Sequence, residues 1–216
     1  MRNRFDNQLF ELNRELIEMG AMCEEAIGSV VQALITGDIA LAEKVKANSS
    51  GIDQMERAIE SRCMKLLLHQ QPVARDLRQI SAALKMITDM ERIGDQAEDI
   101  AEIVTFLKGH TMEGLELIEE MAGEATKMVT ASVDAFVEKN VELAQNVIDQ
   151  DDVVDDYFSK VKCGIIDLIA ANPADGEFAL DLLMIAKYFE RIGDHAENIA
   201  EWVIYSITGR HAKDNN

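Results

Sequence analysis

The chain has little that breaks or stiffens a backbone, with two prolines in 216 residues. It is also poor in aromatic side chains, with seven Phe, three Tyr and one Trp. Strands favour aromatic and β-branched residues and end in turn formers, so this composition argues against a β-sandwich. Cys23, Cys63 and Cys163 are three in number, far apart and without a C-x-x-C spacing. An odd, dispersed set excludes a disulfide framework and a zinc knuckle, and fits reduced core cysteines of a cytosolic protein. Positive charge is scarce: 21 basic residues face 40 acidic ones, a net charge of −19. Nucleic-acid binding needs basic stripes that displace counterions, so no nucleic acid is expected as a partner. Direct adhesion to an anionic membrane is disfavoured for the same reason. The opening MRNRFDNQLFELNREL has no apolar segment of a secretory signal, and no uncharged apolar run approaches the length of a span. A cytoplasmic protein is expected, reaching a membrane only through partners.

Several kinds of chemistry are missing as well. A carboxylate-bridged di-iron enzyme would carry Glu-x-x-His, but Leu66, Leu107, Ile192 and Thr208 stand three residues before the four histidines. There is no G-x-x-x-x-G-K-[ST] phosphate loop and no G-x-S-x-G nucleophile elbow.

What is abundant is Met, Ala, Leu, Ile, Glu and Asp, the composition of a helix bundle. Helical periodicity runs almost throughout. The spacing predicts helices over 6–36, 39–69, 74–108, 112–137, a fifth to about 171, and 177–207. The first would point Leu9, Leu12, Leu16, Met19, Met22, Cys23, Ala26, Val30, Ala33 and Leu34 inward; the second would do so with Leu41, Val45, Ile52, Met55, Ile59, Cys63 and Leu66. Thr36-Gly37-Asp38, Gln70-Gln71-Pro72 and the run from Asn172 to Gly176 are the breaks, with Asp38 and Asn140 as N-caps. Gly109-His110-Thr111 marks the boundary between two units, 1–108 and 109–216. Short connections favour antiparallel neighbours, so each unit reads as an up-down-up three-helix bundle. The expected fold is all-α: two tandem three-helix bundles built from six long helices.

One acidic phrase occurs twice. MERIGDQAEDIAE at 90–102 and FERIGDHAENIAE at 189–201 lie 99 residues apart, which implies two copies of one structural unit. On a wheel of 100° per residue, Glu91, Asp95, Glu98, Asp99 and Glu102 share a stripe about 100° wide. Ile93, Ala97, Ile100 and Val104 fall opposite. Glu190, Asp194, Glu197 and Glu201 repeat the stripe, with Asn198 where Asp99 stood. Like charges at i,i+4 repel, and an interior glycine costs a helix about 1 kcal/mol. The duplicated Gly94 and Gly193 therefore point to close packing or a built site. A dense anionic stripe favours a compensating cation, and hard oxygen donors suit Mg, Ca, Mn or iron.

Asp151 and Asp155 in the run from Asp149 to Asp156 supply a second acidic source that can face Glu190 and Asp194. In the first half Asp53 is retained, but Ser49 stands where Asp151 aligns, so that set is expected to be weaker or differently composed. The plainer alternative is a solvated acidic face in each half, with the Asp149–Asp156 run simply suiting a helix start. His195 reads as a polar surface residue and the 11 methionines as core filler.

ERIGD followed by A-x-[DN]-I-A, once in each half of an all-helical chain, resembles the PhoU family of phosphate-signalling regulators. The corner Gln71-Pro-Val-Ala-Arg-Asp-Leu-Arg78 is similar to that family's passage from the second helix to the third. The resemblance covers essentially the whole chain. It implies two pseudo-symmetric three-helix bundles and bound divalent or trivalent metal ions. Iron comes first among them, with magnesium, manganese, zinc, nickel or calcium as alternatives. It implies negative regulation of phosphate uptake through the ATPase subunit of a phosphate ABC transporter, with a sensor histidine kinase as a further partner, and a homodimer. By motif match the metal ligands would be Glu91, Asp95 and Asp99 with Asp53, and Asp151 and Asp155 with Glu190 and Asp194. Arg92 and Arg191 would orient carboxylates. On this reading the protein is no enzyme. The alternatives are a metal-dependent hydrolase or oxidase built on the same clusters, and a metal-free helical scaffold.

Overall fold

The structure, a computed structural model, describes residues 2–70, 73–107 and 115–210. The expected boundary at Gly109, His110 and Thr111, and Gln71 and Pro72 of the family corner, lie outside the described residues. Six long helices carry the chain: α1 (Arg2–Thr36), α2 (Ile39–Gln70), α3 (Ala74–Phe106), α4 (Glu116–Glu138), α5 (Val141–Ala171) and α6 (Gly176–Thr208). A short 3-10 turn at Pro173–Asp175 leads into α6. Among the described residues there is no strand.

The helix ends follow from local chemistry, and they do so twice. Gly37 ends α1 in the left-handed region, and the Leu41 N–H then donates to Asp38 Oδ1 at 3.0 Å to start α2. At the matching place Lys139 is left-handed, and the Leu143 N–H donates to Asn140 Oδ1 at 3.0 Å to start α5.

Within each half the three helices pack against one another, and the halves join through α3 on α6 and α1 on α4. This yields the two tandem three-helix bundles. The buried side chains form one cluster that runs from Leu12 and Leu16 in α1 through Met90 and Ile93 in α3 to Phe189 and Ile199 in α6. The seam between α1 and α4 is close enough that a Cβ on Gly20 would meet Val133 Cγ2 at 3.2 Å. On the surface of the first bundle, Arg62 grips Glu15 with Nε and Nη2, both at 2.5 Å.

Five inward positions read from periodicity are adjusted. Leu9, Met22 and Ala26 flank the core half-buried, while Ile27, absent from the expected set, is fully buried. Leu41 and Met55 likewise sit at its edge. Cys23 and Cys63 are buried, and burial pushes both thiols up to about 12, so neither is nucleophilic at neutral pH. Cys163 lies exposed on α5, because its outward position in the 3.6-residue repeat overrides the general preference of cysteine for cores.

Candidate metal centre

The repeated motif occupies the middle of α3 and of α6, and its apolar side is the core side. Ile93, Ala97, Ile100 and Val104 are buried, as are Ile192, Ala196, Ile199 and Val203. The glycines inside the motif set how closely the preceding helix approaches. A Cβ on Gly94 would stand 2.8 Å from Ile52 Cδ1 of α2. A Cβ on Gly193 would stand 3.1 Å from Asp151 Oδ1 and 3.3 Å from Val154 Cγ1 of α5. Ile52 and Val154 each precede an aspartate, Asp53 and Asp155. Each glycine thus lets a neighbouring helix lay a carboxylate against the acidic stripe.

In the first half the structure brings three expected ligands together. Asp53, Glu91 and Asp95 each offer a carboxylate oxygen, and these oxygens lie within 4.8 Å of one another. The crowding is visible in their protonation. Partial burial, then the charges of Asp95 and Glu56, holds the Glu91 carboxyl above its ordinary range. Partial loss of hydration, then Asp53 and Glu98, raises Asp95. Arg92 stays near, with Nε 3.6 Å from Glu91 Oε2. Asp99, one turn further along α3, lies at the edge of this group: burial, then the charge of Asp95, raises its carboxyl. Burial, then the Asp99 charge, raises the Tyr188 hydroxyl on α6, and Arg191 of α6 tempers the upward shift of Asp99.

In the second half Asp151 faces the stripe most directly. Its carboxyl is pushed up to about 7, first by burial and then by the charges of Glu197, Asp194, Asp155 and Glu190. Asp155 is raised by burial and then by Glu190, while Lys187 pulls it back. Lys187 also pairs with Glu190 and sits over the Phe158 ring at 5.3 Å. The position 99 residues before Lys187 is Thr88, so the first half lacks a cation at that place and has Arg92 beside Glu91 instead. Among the described residues, the second-half carboxylates do not form a group as tight as that of Asp53, Glu91 and Asp95.

Three residues join these neighbourhoods without having been singled out as ligands. Glu56 follows Asp53 by three positions, and its carboxyl is raised by burial, then Glu60, with Asp53 adding to it. Its i,i+3 spacing was the available signal. Glu197 is the strongest charged neighbour of Asp151, and it stands on the acidic stripe three residues after Asp194. Lys187 is one turn before Glu190, a spacing that favours an ion pair. His195 is not open surface: it is half-buried at the α3–α6 seam with Nδ1 2.9 Å from Asp89 Oδ1.

Hard, all-oxygen donor sets of this kind suit Mg, Ca, Mn or iron better than zinc, which prefers nitrogen and sulfur. No cysteine or histidine joins the tight trio.

The family profile of the PhoU domain matches residues 16–104 and 118–203. The chain is 35% identical over 217 residues to a phosphate-specific transport system accessory protein PhoU homolog of Clostridium acetobutylicum, covering 100% of this chain and 99% of that one. It is 34% identical to the protein of the same name from Pseudomonas aeruginosa, covering 95% and 86%. Its structure is similar to the crystal structure of PhoU from Pseudomonas aeruginosa, with a TM-score of 0.90 over 95% of this chain and 100% of that one at 34% identity. The phosphate transport system regulatory protein PhoU from Streptococcus pneumoniae gives a TM-score of 0.88 over 96% and 99%, at 27% identity.

Proposed function

This chain belongs to the PhoU family, and from that premise we propose that it is a cytoplasmic, non-enzymatic regulator that restrains phosphate uptake. The carrying observation is end-to-end likeness to phosphate-transport accessory proteins, in both copies of the repeat. The regulator acts by docking on the ATPase subunit of a phosphate ABC transporter, with a sensor histidine kinase as a second partner, and it works as a homodimer. No described helix is long and apolar enough to cross a membrane, which fits access to the bilayer through a partner.

Metal ions, iron foremost, are structural in this reading. Asp53, Glu91 and Asp95, joined by Asp99 at the edge, would hold one group of ions, and Asp151, Asp155, Glu190 and Asp194 another. A bound cation removes the mutual repulsion that raises these carboxyls and ties α2 to α3 and α5 to α6. The convergence of Asp53, Glu91 and Asp95 supports this part of the reading.

Deleting the chain in its own cell should raise phosphate uptake severalfold under phosphate-replete conditions, and restoring it should bring uptake down. Unchanged uptake would reject the regulatory role. A D53N/E91Q double variant, assayed in parallel for metal by elemental analysis, separates the two parts. Its affinity for metal should fall about tenfold or more, and metal content equal to wild type would reject these ligands.

A further inference from the structure

Where the start of α3 meets the ends of α4 and α6, the acidic molecule turns locally basic. A cavity of about 70 Å3 opens there, lined by Arg75, Gln79, Phe136, Lys139, Ser206 and Ile207. It has room for more than one water. Arg75 and Lys139 are exposed at its rim, and neither makes an ion pair among the described residues. Gln79 is only 7% exposed, faces the cavity, and makes no hydrogen bond there among the described residues. Its amide is bonded to no protein group there, so it is available to whatever fills the cavity, water or a ligand acceptor. Just behind, the Nε of Arg78 is buried without an acceptor, 3.6 Å from where a Cβ on Gly209 would stand.

The other half of the molecule tells whether the fold itself demands these groups. The repeat places Ala174, Phe178, Leu34, Gly37, Leu107 and Lys108 at the positions corresponding to Arg75, Gln79, Phe136, Lys139, Ser206 and Ile207. The cations, the amide and the hydroxyl of this corner thus have uncharged counterparts, while the one cation of the other copy, Lys108, answers to the apolar Ile207. Lys139 sharpens the contrast. It holds φ 57°, where its counterpart is glycine with φ 67°. A lysine occupies a backbone conformation that favours glycine. The hydroxyl of Ser206 donates to the Val203 carbonyl at 2.7 Å, so it offers a ligand only its lone pairs. The donors are then the Arg75 fork, the Lys139 ammonium and the Gln79 amide.

We propose that this corner binds a small tetrahedral oxyanion of the phosphate or sulfate class, gripped by Arg75 and Lys139, with Gln79 donating from the floor. The small volume between the walls of Phe136 and Ile207 suits a single small oxyanion. A guanidinium fork and an ammonium are the groups that recognise such oxygens. The carbonyl ends of α4 and α6 oppose an anion; the first turn of α3 and the Arg78 guanidinium offset them. The site shares no residue with the acidic clusters and stands independently of the metal reading.

The test is binding of inorganic phosphate, and separately of sulfate, to the full chain stripped of metal and chelator. Isothermal titration and phosphorus NMR line width are followed at constant ionic strength set with chloride. Saturable binding is expected. R75Q, Q79L and K139G should each weaken it about tenfold, the effect of losing one hydrogen bond that involves a charged group. K139G is the informative variant, because glycine suits the left-handed backbone. It should keep the melting temperature of the parent while losing affinity. No binding up to ~10 mM, or affinity in R75Q and K139G equal to the parent's, would overturn the site and leave an adventitious ion only or water in the cavity.

Discussion

Asp151 shows what one side chain can do to the pH response of the whole fold. Its carboxyl titrates near 7 in the native metal-free protein, against an ordinary value of 3.8. The native state therefore binds this proton more tightly than the unfolded chain does, and stability falls as pH rises from about 4 to about 7. Glu56, Glu91, Asp95, Asp99 and Asp155 are shifted in the same direction and add to the trend. Asp151 keeps partial contact with solvent, so the screened contribution is about 1 kcal/mol, or about 2–4 °C in melting temperature. Metal-free protein should thus melt higher at pH 5 than at pH 8, and D151N should raise the pH 8 midpoint by that amount. A pH 8 midpoint in D151N at or below the parent's would contradict this. The acidic faces behind this behaviour were legible in the sequence, because a 100° step per residue stacks Glu91 with Asp95 and Glu190 with Asp194. The turning of Asp99 toward Tyr188 and the pairing of His195 with Asp89 were not. Both depend on how α3 crosses α6, and those partners lie about a hundred residues apart in the chain.

At the level of the helix, the two motif glycines are spacers with unequal tolerances. A methyl on Gly94 would fall 2.8 Å from Ile52 Cδ1, inside any real carbon contact, with the Ile52 Cγ2 and Cβ close behind. A methyl on Gly193 would meet Asp151 Oδ1 at 3.1 Å and Val154 Cγ1 at 3.3 Å, which a small rotation relieves. Overpacking costs about 1–3 kcal/mol, and each alanine returns about 1 kcal/mol of helix propensity. G94A should therefore be destabilised by about 1 kcal/mol net, and G193A should stay near neutral, measured by denaturant unfolding. Equal destabilisation, or the reverse order, would show that Ile52 yields more easily than its branched side chain suggests. Periodicity, capping residues and the Pro173 turn were enough to place the helices within a few residues, and Asp38 and Asn140 cap as read. The conformation of Lys139 was hidden, because a lysine gives no local cue for a left-handed backbone; only alignment with Gly37 exposes it.

As a whole the molecule is two copies of one plan sharing one core. Buried side chains continue without a break from α1 to α6, so neither half is closed off from the other. Trp202, the single tryptophan, lies in α6 with the Lys85 ammonium of α3 5.9 Å from its ring centre, and so it reports on the joint. Thermal unfolding followed by Trp202 fluorescence and by helical circular dichroism should give coincident midpoints. Both midpoints should rise with salt, since the net charge of −19 repels itself and counterions screen it. Separate midpoints would mean the halves melt independently. The duplication announced two bundles; their fusion through α3 and α6 was not readable, because the residues at the joint look like any other inward face.

The lysine at position 187 makes the twins unequal in what they need from outside. One clamp has a lysine seated on its carboxylates; the other has Thr88 in that place and only the more distant Arg92 beside Glu91. On the metal reading proposed above, scarcity of multivalent ions should slacken the amino-terminal half first, leaving the rigidity of the molecule lopsided rather than uniformly lower.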